Sequence, residues 1–141
     1  MATIKTSVPS RAPRAALWTI VRNLSERVAF LPEEGFRDVV GDADHATFKV
    51  RSPAGWVDAE STVVRVVEGQ EVEEHAEGKG IRYTATFRVR DDALDAELDY
   101  NLSGVPGLVE RTVLRPLFQR YFNQGVQGIV AEAERRAAAG S

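Results

Sequence analysis

From Pro106 to Arg136 the sequence reads as one long amphipathic helix, and the stretch from Glu34 to Ser103 ahead of it reads as a run of short strands. Leu114, Phe118, Phe122, Gly125, Ile129 and Ala133 recur at three- and four-residue spacing, with Arg115, Arg120, Asn123, Gln124, Gln127 and Glu132 on the other side. At about 1.5 Å per residue such a helix is about 45 Å long, enough to cross the concave face of a small sheet. A curved sheet closing on a helix of that length leaves room for a cavity between them.

The rest of the chain fits this frame. Thr3 to Val8 alternates weakly and ends at Pro9, which marks a first strand. Ala12-Pro13 opens a helix running to Asn23 with Ala16, Leu17, Ile20 and Val21 on its apolar side, and Ser25 caps a second short helix that stops at Pro32. Turn residues then divide the chain into hairpins. Gly41-Asp42-Ala43-Asp44 joins Phe36–Val40 to Ala46–Arg51, Pro53-Ala54-Gly55 leads into Trp56–Val67, and Glu68-Gly69 into Gln70–Glu77. Gly78-Lys79 turns into Gly80–Asp91, and Asp92-Ala93 into Leu94–Ser103. With 141 residues, one domain spanning 1–141 is expected, residues 137–141 forming a frayed tail. The fold class is α+β: a curved antiparallel sheet of about seven strands, two short helices after the first strand, and the long C-terminal helix.

Composition removes several function classes. A net charge of -3 and the acidic stretch Glu68–Glu77 argue against a nucleic-acid partner. There is no cysteine and there are only two histidines, so thiolate chemistry is excluded and no metal site or cofactor is expected. No apolar run reaches bilayer length and the N-terminus does not read as a secretory signal, so a cytoplasmic protein without stable membrane insertion, monomeric or homodimeric, is expected.

The order of elements resembles the helix-grip layout of the START/Bet v 1-like (SRPBCC) superfamily. Val8-Pro9 into Ala12-Pro13, then Leu17-Trp18, then Phe30-Leu31-Pro32 is similar to the opening of its small bacterial members, which include polyketide cyclase/dehydrase-like, quinone-binding and CO-dehydrogenase-accessory proteins. Leu17 stands where valine is usual in that opening. The resemblance covers nearly the whole chain, but its motifs are structural and carry no catalytic signature.

Strand alternation assigns the inner face. Val57, Ala59, Ser61 and Val63 point inward between the outward Asp58, Glu60 and Thr62, and Arg65 shares the inward parity. The turns pair Arg65 with Val72, Val63 with Glu74, Glu74 with Tyr83, Phe87 with Leu98, and Ala85 with Tyr100. An otherwise apolar face would then carry Arg65, Glu74, Tyr83 and Tyr100 as one polar patch, the candidate catalytic group. The competing reading has Arg65 reaching water from near a strand end and Glu74 solvated in its acidic strand. Phe30, Phe48, Val50, Ala59, Ser61, Val63, Ala85, Phe87, Leu98, Leu114, Phe118 and Phe122 are the expected ligand-binding residues. His75 falls on the outward parity, His45 in a turn, and Trp56 in a loop at the rim.

Gly125 and Gly128 cost about 1 kcal/mol each in a helix, so the stripe leaves room there or packs tightly. Pro116 lies well inside the long helix, and a bend or break between Thr112 and Leu117 is expected, making the preceding segment a candidate lid. The partner expected from this pattern is a hydrophobic small molecule: a polyketide, quinone or lipid-like compound. As an enzyme the chain would be a polyketide cyclase or dehydratase, with Arg65 holding an enolate oxygen, Glu74 orienting it and Tyr83 or Tyr100 moving a proton. As a carrier it would need only the apolar walls, and as an assembly factor only its surface.

Overall fold

The computed structural model describes residues 2–52 and 55–140. Seven antiparallel strands form one sheet: β1 (Ala2–Pro9), β2 (Phe36–Gly41), β3 (His45–Ser52), β4 (Gly55–Val67), β5 (Glu71–Gly78), β6 (Ile81–Val89) and β7 (Ala93–Leu102). Their order is β1-β7-β6-β5-β4-β3-β2, so consecutive strands are hairpin neighbours and β1 closes against the last strand. Two helices, α1 (Arg14–Val21) and α2 (Leu24–Ala29), fill the connection from β1 to β2. The expected turn residues Pro53 and Ala54 lie outside the described residues.

Asn23, not Ser25, caps α2: its side chain accepts from the Glu26 backbone N–H, and Ser25 donates its hydroxyl to the same Asn23 oxygen at 3.0 Å. The C-terminal helical run starts at Gly107 rather than Pro106 and continues through Ala139, so residues 137–139 belong to the helix and not to a frayed tail. It comprises α3 (Gly107–Val109), a π-helical turn (Glu110–Leu114) and α4 (Arg115–Ala139). The irregularity expected ahead of Pro116 therefore takes the form of a wide turn. Pro116 falls in the first turn of α4, where a missing N–H costs little.

The core lies between sheet and helices. Leu17, Ile20 and Val21 of α1 and Phe122, Val126, Ile129 and Ala133 of α4 pack with Val72, Phe87 and Leu94 of the sheet. Leu24 and Val28 of α2 pack with Ala46, Phe48, Val50 and Ala59. These side chains sit at period 3.6 on the helices and period 2 on the strands, as burial of one face requires.

Gly41, an expected turn residue, belongs to β2 and pairs with Ala46. The next turns also differ from expectation, and their parity decides which face each side chain meets. Gly78 pairs with Ile81, so the β5–β6 turn is Lys79-Gly80, with Gly80 at φ 79°. Gly78 is needed in the strand itself, since a Cβ there would lie 2.8 Å from the Asp58 carbonyl oxygen. Between β6 and β7 the turn is Asp91-Asp92, because Ala93 already belongs to β7 and pairs with Pro9. Both slips are of two residues and leave every side chain on its expected face. Ala85, not Tyr83, lies opposite Glu74; Leu98, not Tyr100, lies opposite Ala85; and Ala96, not Leu98, lies opposite Phe87.

The β4–β5 connection behaves differently. It holds three residues, Glu68-Gly69-Gln70, and the extra residue is absorbed by a bulge at Val64. Val63 pairs with Glu74 as expected, but Arg65 pairs with Glu73 rather than Val72. A one-residue shift moves Arg65 to the outer face.

Candidate functional site

An apolar cavity lies between the sheet and α4, closed on one side by α2. Its cavity volume is about 60 Å³. Val50, Ala85, Phe87, Leu98, Phe118 and Phe122 of the expected ligand-binding set line it, with Tyr83, Tyr100 and Glu74 of the expected polar patch. Ile81, Tyr121 and Val126 complete much of the wall. Phe87 and Leu98 share this shell with Phe118, so strand and helix meet there as the sequence pattern required.

The other expected contacts lie outside the cavity wall. Phe48 and Ala59 are buried in the α2 cluster, Val63 packs partly buried beneath both clusters, and Leu114 is buried at the end of the π turn. Phe30 packs against α4 at Gly128, where a Cβ would lie 3.1 Å from its ring. Gly125 lines the cavity, yet a Cβ there would lie 2.7 Å from Leu31. The two glycines thus serve close contact between α4 and the end of α2.

Arg65 does not reach the cavity. It pairs on the outer face with Glu71, while Glu73 lies 3.7 Å away, and its side chain is 48% exposed. Arg88 shares Glu71, and these two guanidinium bonds outweigh burial and hold that carboxyl below its ordinary range. Arg65 and Tyr83 stand on opposite faces, so no single ligand touches both. His75 is exposed as expected; His45 is the first residue of β3 rather than a turn residue, with Nε2 3.2 Å from Glu60. Trp56 lies within β4, partly exposed, with the Arg37 guanidinium 4.2 Å above its ring.

Arg27 of α2 occupies the interior in place of Arg65. Its side chain is 1% exposed and that of Glu74 is 3% exposed, and the two form an ion pair through Nη1 and Oε1. Nε donates to the Val21 carbonyl at 2.5 Å, satisfying an open carbonyl at the C-terminus of α1. Ser61 donates to the second Glu74 oxygen at 2.5 Å, so this expected ligand residue instead supports the carboxylate. The guanidinium also lies 4.5 Å from the centre of the Phe87 ring. Nη2 is buried and has no hydrogen-bond partner among the described residues.

Tyr83 belongs to the same end of the cavity. Burial first, and then the Glu74 carboxylate, pushes its phenol well above its usual value, the Arg27 charge opposing only in part. At neutral pH it is a proton donor and not a base.

The second polar group sits under the π turn. Tyr100 donates to Glu110 at 2.6 Å, and Arg115 holds the same carboxylate through Nε at 2.9 Å and through Nη2. Burial and the bond to Glu110 raise the Tyr100 phenol to about 12, whereas Arg115 foremost depresses Glu110. Phe118 meets the Tyr100 ring edge-on at 5.2 Å. Together these contacts tie the π turn and the head of α4 to β7.

Sequence reasoning missed Arg27, Tyr121, Glu110 and Arg115. One signal for Arg27 was present: Leu24, Arg27, Val28 and Leu31 form an i, i+3, i+4, i+7 stripe with a cation in an apolar face. Its partner lies far along the chain, and local spacing carries no information about that pair.

The solved structures decide the fold. The Zhui aromatase/cyclase from Streptomyces sp. R1128 superposes with a TM-score of 0.76 at 12% identity, covering 99% of this chain and 98% of that one. The chain has the helix-grip fold. A protein of Thermus thermophilus shares this helix-grip architecture at TM-score 0.71 and 16% identity over 99% of both chains. The di-domain ARO/CYC StfQ from the steffimycin biosynthetic pathway matches at TM-score 0.73 and 14% identity, over 96% of this chain and 52% of that one. No family model matches the sequence, and no curated protein matches it. Among the described residues no helix is long and apolar enough to cross a membrane, and no cluster of three or more His, Asp or Glu side chains is arranged to hold a metal ion.

Proposed function

We propose that this helix-grip protein binds a hydrophobic small molecule, polyketide, quinone or lipid-like in character, between its sheet and α4. The observation that carries the reading is the cavity itself: a wall of Phe87, Leu98, Phe118, Phe122 and Ile129, among which Arg27, Glu74, Tyr83 and Tyr100 are the polar side chains. Small-molecule sites have this composition, apolar walls with a few placed polar groups, and run to about 300–1,000 Å³. With a volume of about 60 Å³ in this state, a ring-bearing ligand must displace wall side chains to enter.

Cyclase or dehydratase chemistry is supported by one further observation. A protonated phenol, Tyr83, and a guanidinium with an unused N–H, Arg27, stand in the same apolar enclosure. Two preorganised donors in a dry site stabilise an enolate or developing alkoxide oxygen, and Tyr83 supplies the proton when that oxygen leaves or is reprotonated. Similarity of fold to aromatase/cyclase structures agrees with this reading. Carriage without chemistry is favoured by a different fact: Glu74 and Glu110 are both neutralised by arginines, and neither is free to act as a base.

The deciding experiment is native mass spectrometry of the purified protein for a bound apolar compound, followed by titration of an environment-sensitive apolar dye against wild type and Ala85→Phe. Ala85 is 2% exposed on the cavity wall, and a ring there fills the space. Loss of dye binding in a folded variant is expected, and unchanged binding would overturn the proposal. Under the enzymatic reading Tyr83→Phe lowers turnover of a reactive polyketone far more than its affinity; under carriage only affinity responds.

A further inference from the structure

We propose that Arg27 is the polar anchor of the ligand, and that its pairing with Glu74 makes the site select neutral oxygen acceptors, carbonyl or hydroxyl, over carboxylates. This rests on the cavity being a ligand site. Arg27 has five N–H bonds in a fixed fork. Nε is used by the Val21 carbonyl and Nη1 by Glu74, whereas Nη2 is buried with no partner among the described residues. A buried donor without an acceptor costs free energy in the empty protein, and a ligand oxygen that meets it recovers that cost.

The charge balance sets what kind of oxygen is accepted. The Arg27 cation and the Glu74 anion cancel within the cavity wall, and Ser61 takes the remaining Glu74 oxygen. A ligand carboxylate would place a second anion beside Glu74 in a dry, aromatic enclosure, where like charges are unscreened. A ketone or phenol brings an acceptor without a charge. Tyr83 stands on the same wall, its phenol protonated at neutral pH.

Three compounds with one carbon skeleton test the assignment: tetralin, its ketone tetralone, and the carboxylate tetrahydronaphthoate. Each is titrated calorimetrically into wild type, Glu74→Gln, and the double variant Arg27→Met/Glu74→Gln. In wild type tetralone binds about tenfold tighter than tetralin, the effect of one bond to a charged donor, and the carboxylate binds at least about a hundredfold weaker than the ketone. Glu74→Gln leaves the Arg27 charge unbalanced, so the carboxylate gains affinity above the ketone and raises the variant's melting temperature. The double variant, which keeps an acceptor for Ser61 and buries no charge, still binds tetralin but loses the preference for tetralone. Equal binding of tetralin and tetralone by wild type, or a double variant that keeps the ketone preference, overturns the inference while leaving the cavity a ligand site. Equal binding of ketone and carboxylate by wild type overturns the selectivity. If no member of the series binds any of the three proteins, the ligand-binding reading itself falls, and the inference with it.

Discussion

Removing one partner of the Arg27–Glu74 pair should be among the most destabilising single changes in this protein, while removing both charges should not. In Arg27→Met the methionine fills nearly the same volume, so little cavity is created. Glu74, whose side chain is 3% exposed, keeps only the Ser61 hydroxyl, and the Val21 carbonyl loses its 2.5 Å donor. An uncompensated charge in such a place costs about 3–5 kcal/mol. For a chain of this length that corresponds to a melting temperature lower by about 12–20 °C. Arg27→Met/Glu74→Gln removes both charges and leaves Ser61 an acceptor, so its stability should return to within about 2 kcal/mol of wild type. Urea unfolding followed by far-UV circular dichroism measures both, with equal slopes required before midpoints are compared. A single variant within about 1 kcal/mol of wild type, or a double variant no more stable than the single, would refute the claim that this pair is sealed from water.

Arg65→Met, on the outer face, should leave dye affinity unchanged and alter stability by less than about 1 kcal/mol, since Arg88 still holds Glu71; an affinity loss matching that of Tyr83→Phe would contradict the bulge at Val64. Because the Tyr100 phenol is raised to about 12 and burial raises the Tyr83 phenol well above its usual value, phenolate absorbance up to about pH 11 should account for no more than one of the three tyrosines while the protein remains folded. Glu110→Gln removes the anion joining Tyr100 and Arg115, so amides of residues 107–114 should exchange with deuterium several-fold faster, with α4 beyond Phe122 unaffected. The same contact has a pH sign: a carboxyl held below its unfolded value stabilises above that value, about 4.3, and the contribution fades as pH falls through the lower folded value. Acid should thus loosen the π turn in wild type and change little in Glu110→Gln.

The alternation of Tyr83, Ala85 and Phe87 and of Ala96, Leu98 and Tyr100 was enough to place these side chains on the inner face, because the side-chain period of a strand is a property of its own backbone. It stayed correct even where both adjoining turns were misplaced by one residue, since that slips the pairing by two and an even slip preserves parity. Likewise the stripe from Leu114 to Ala133 foretold which side of the long helix meets the sheet, though not that a π turn would precede Pro116. What local pattern did not reveal was the count of residues in the β4–β5 turn. Three instead of two there forced a bulge, and an odd shift carried Arg65 to the outside. Nor did it reveal the charge pair that replaced Arg65 in the interior. Arg27 stands on a helix of six residues and Glu74 on a strand 47 residues later, and only the packing of α2 over the open end of the sheet brings them together. Periodicity is local and survives in sequence; the matching of two buried charges depends on the distance between elements, which exists only once the chain has closed.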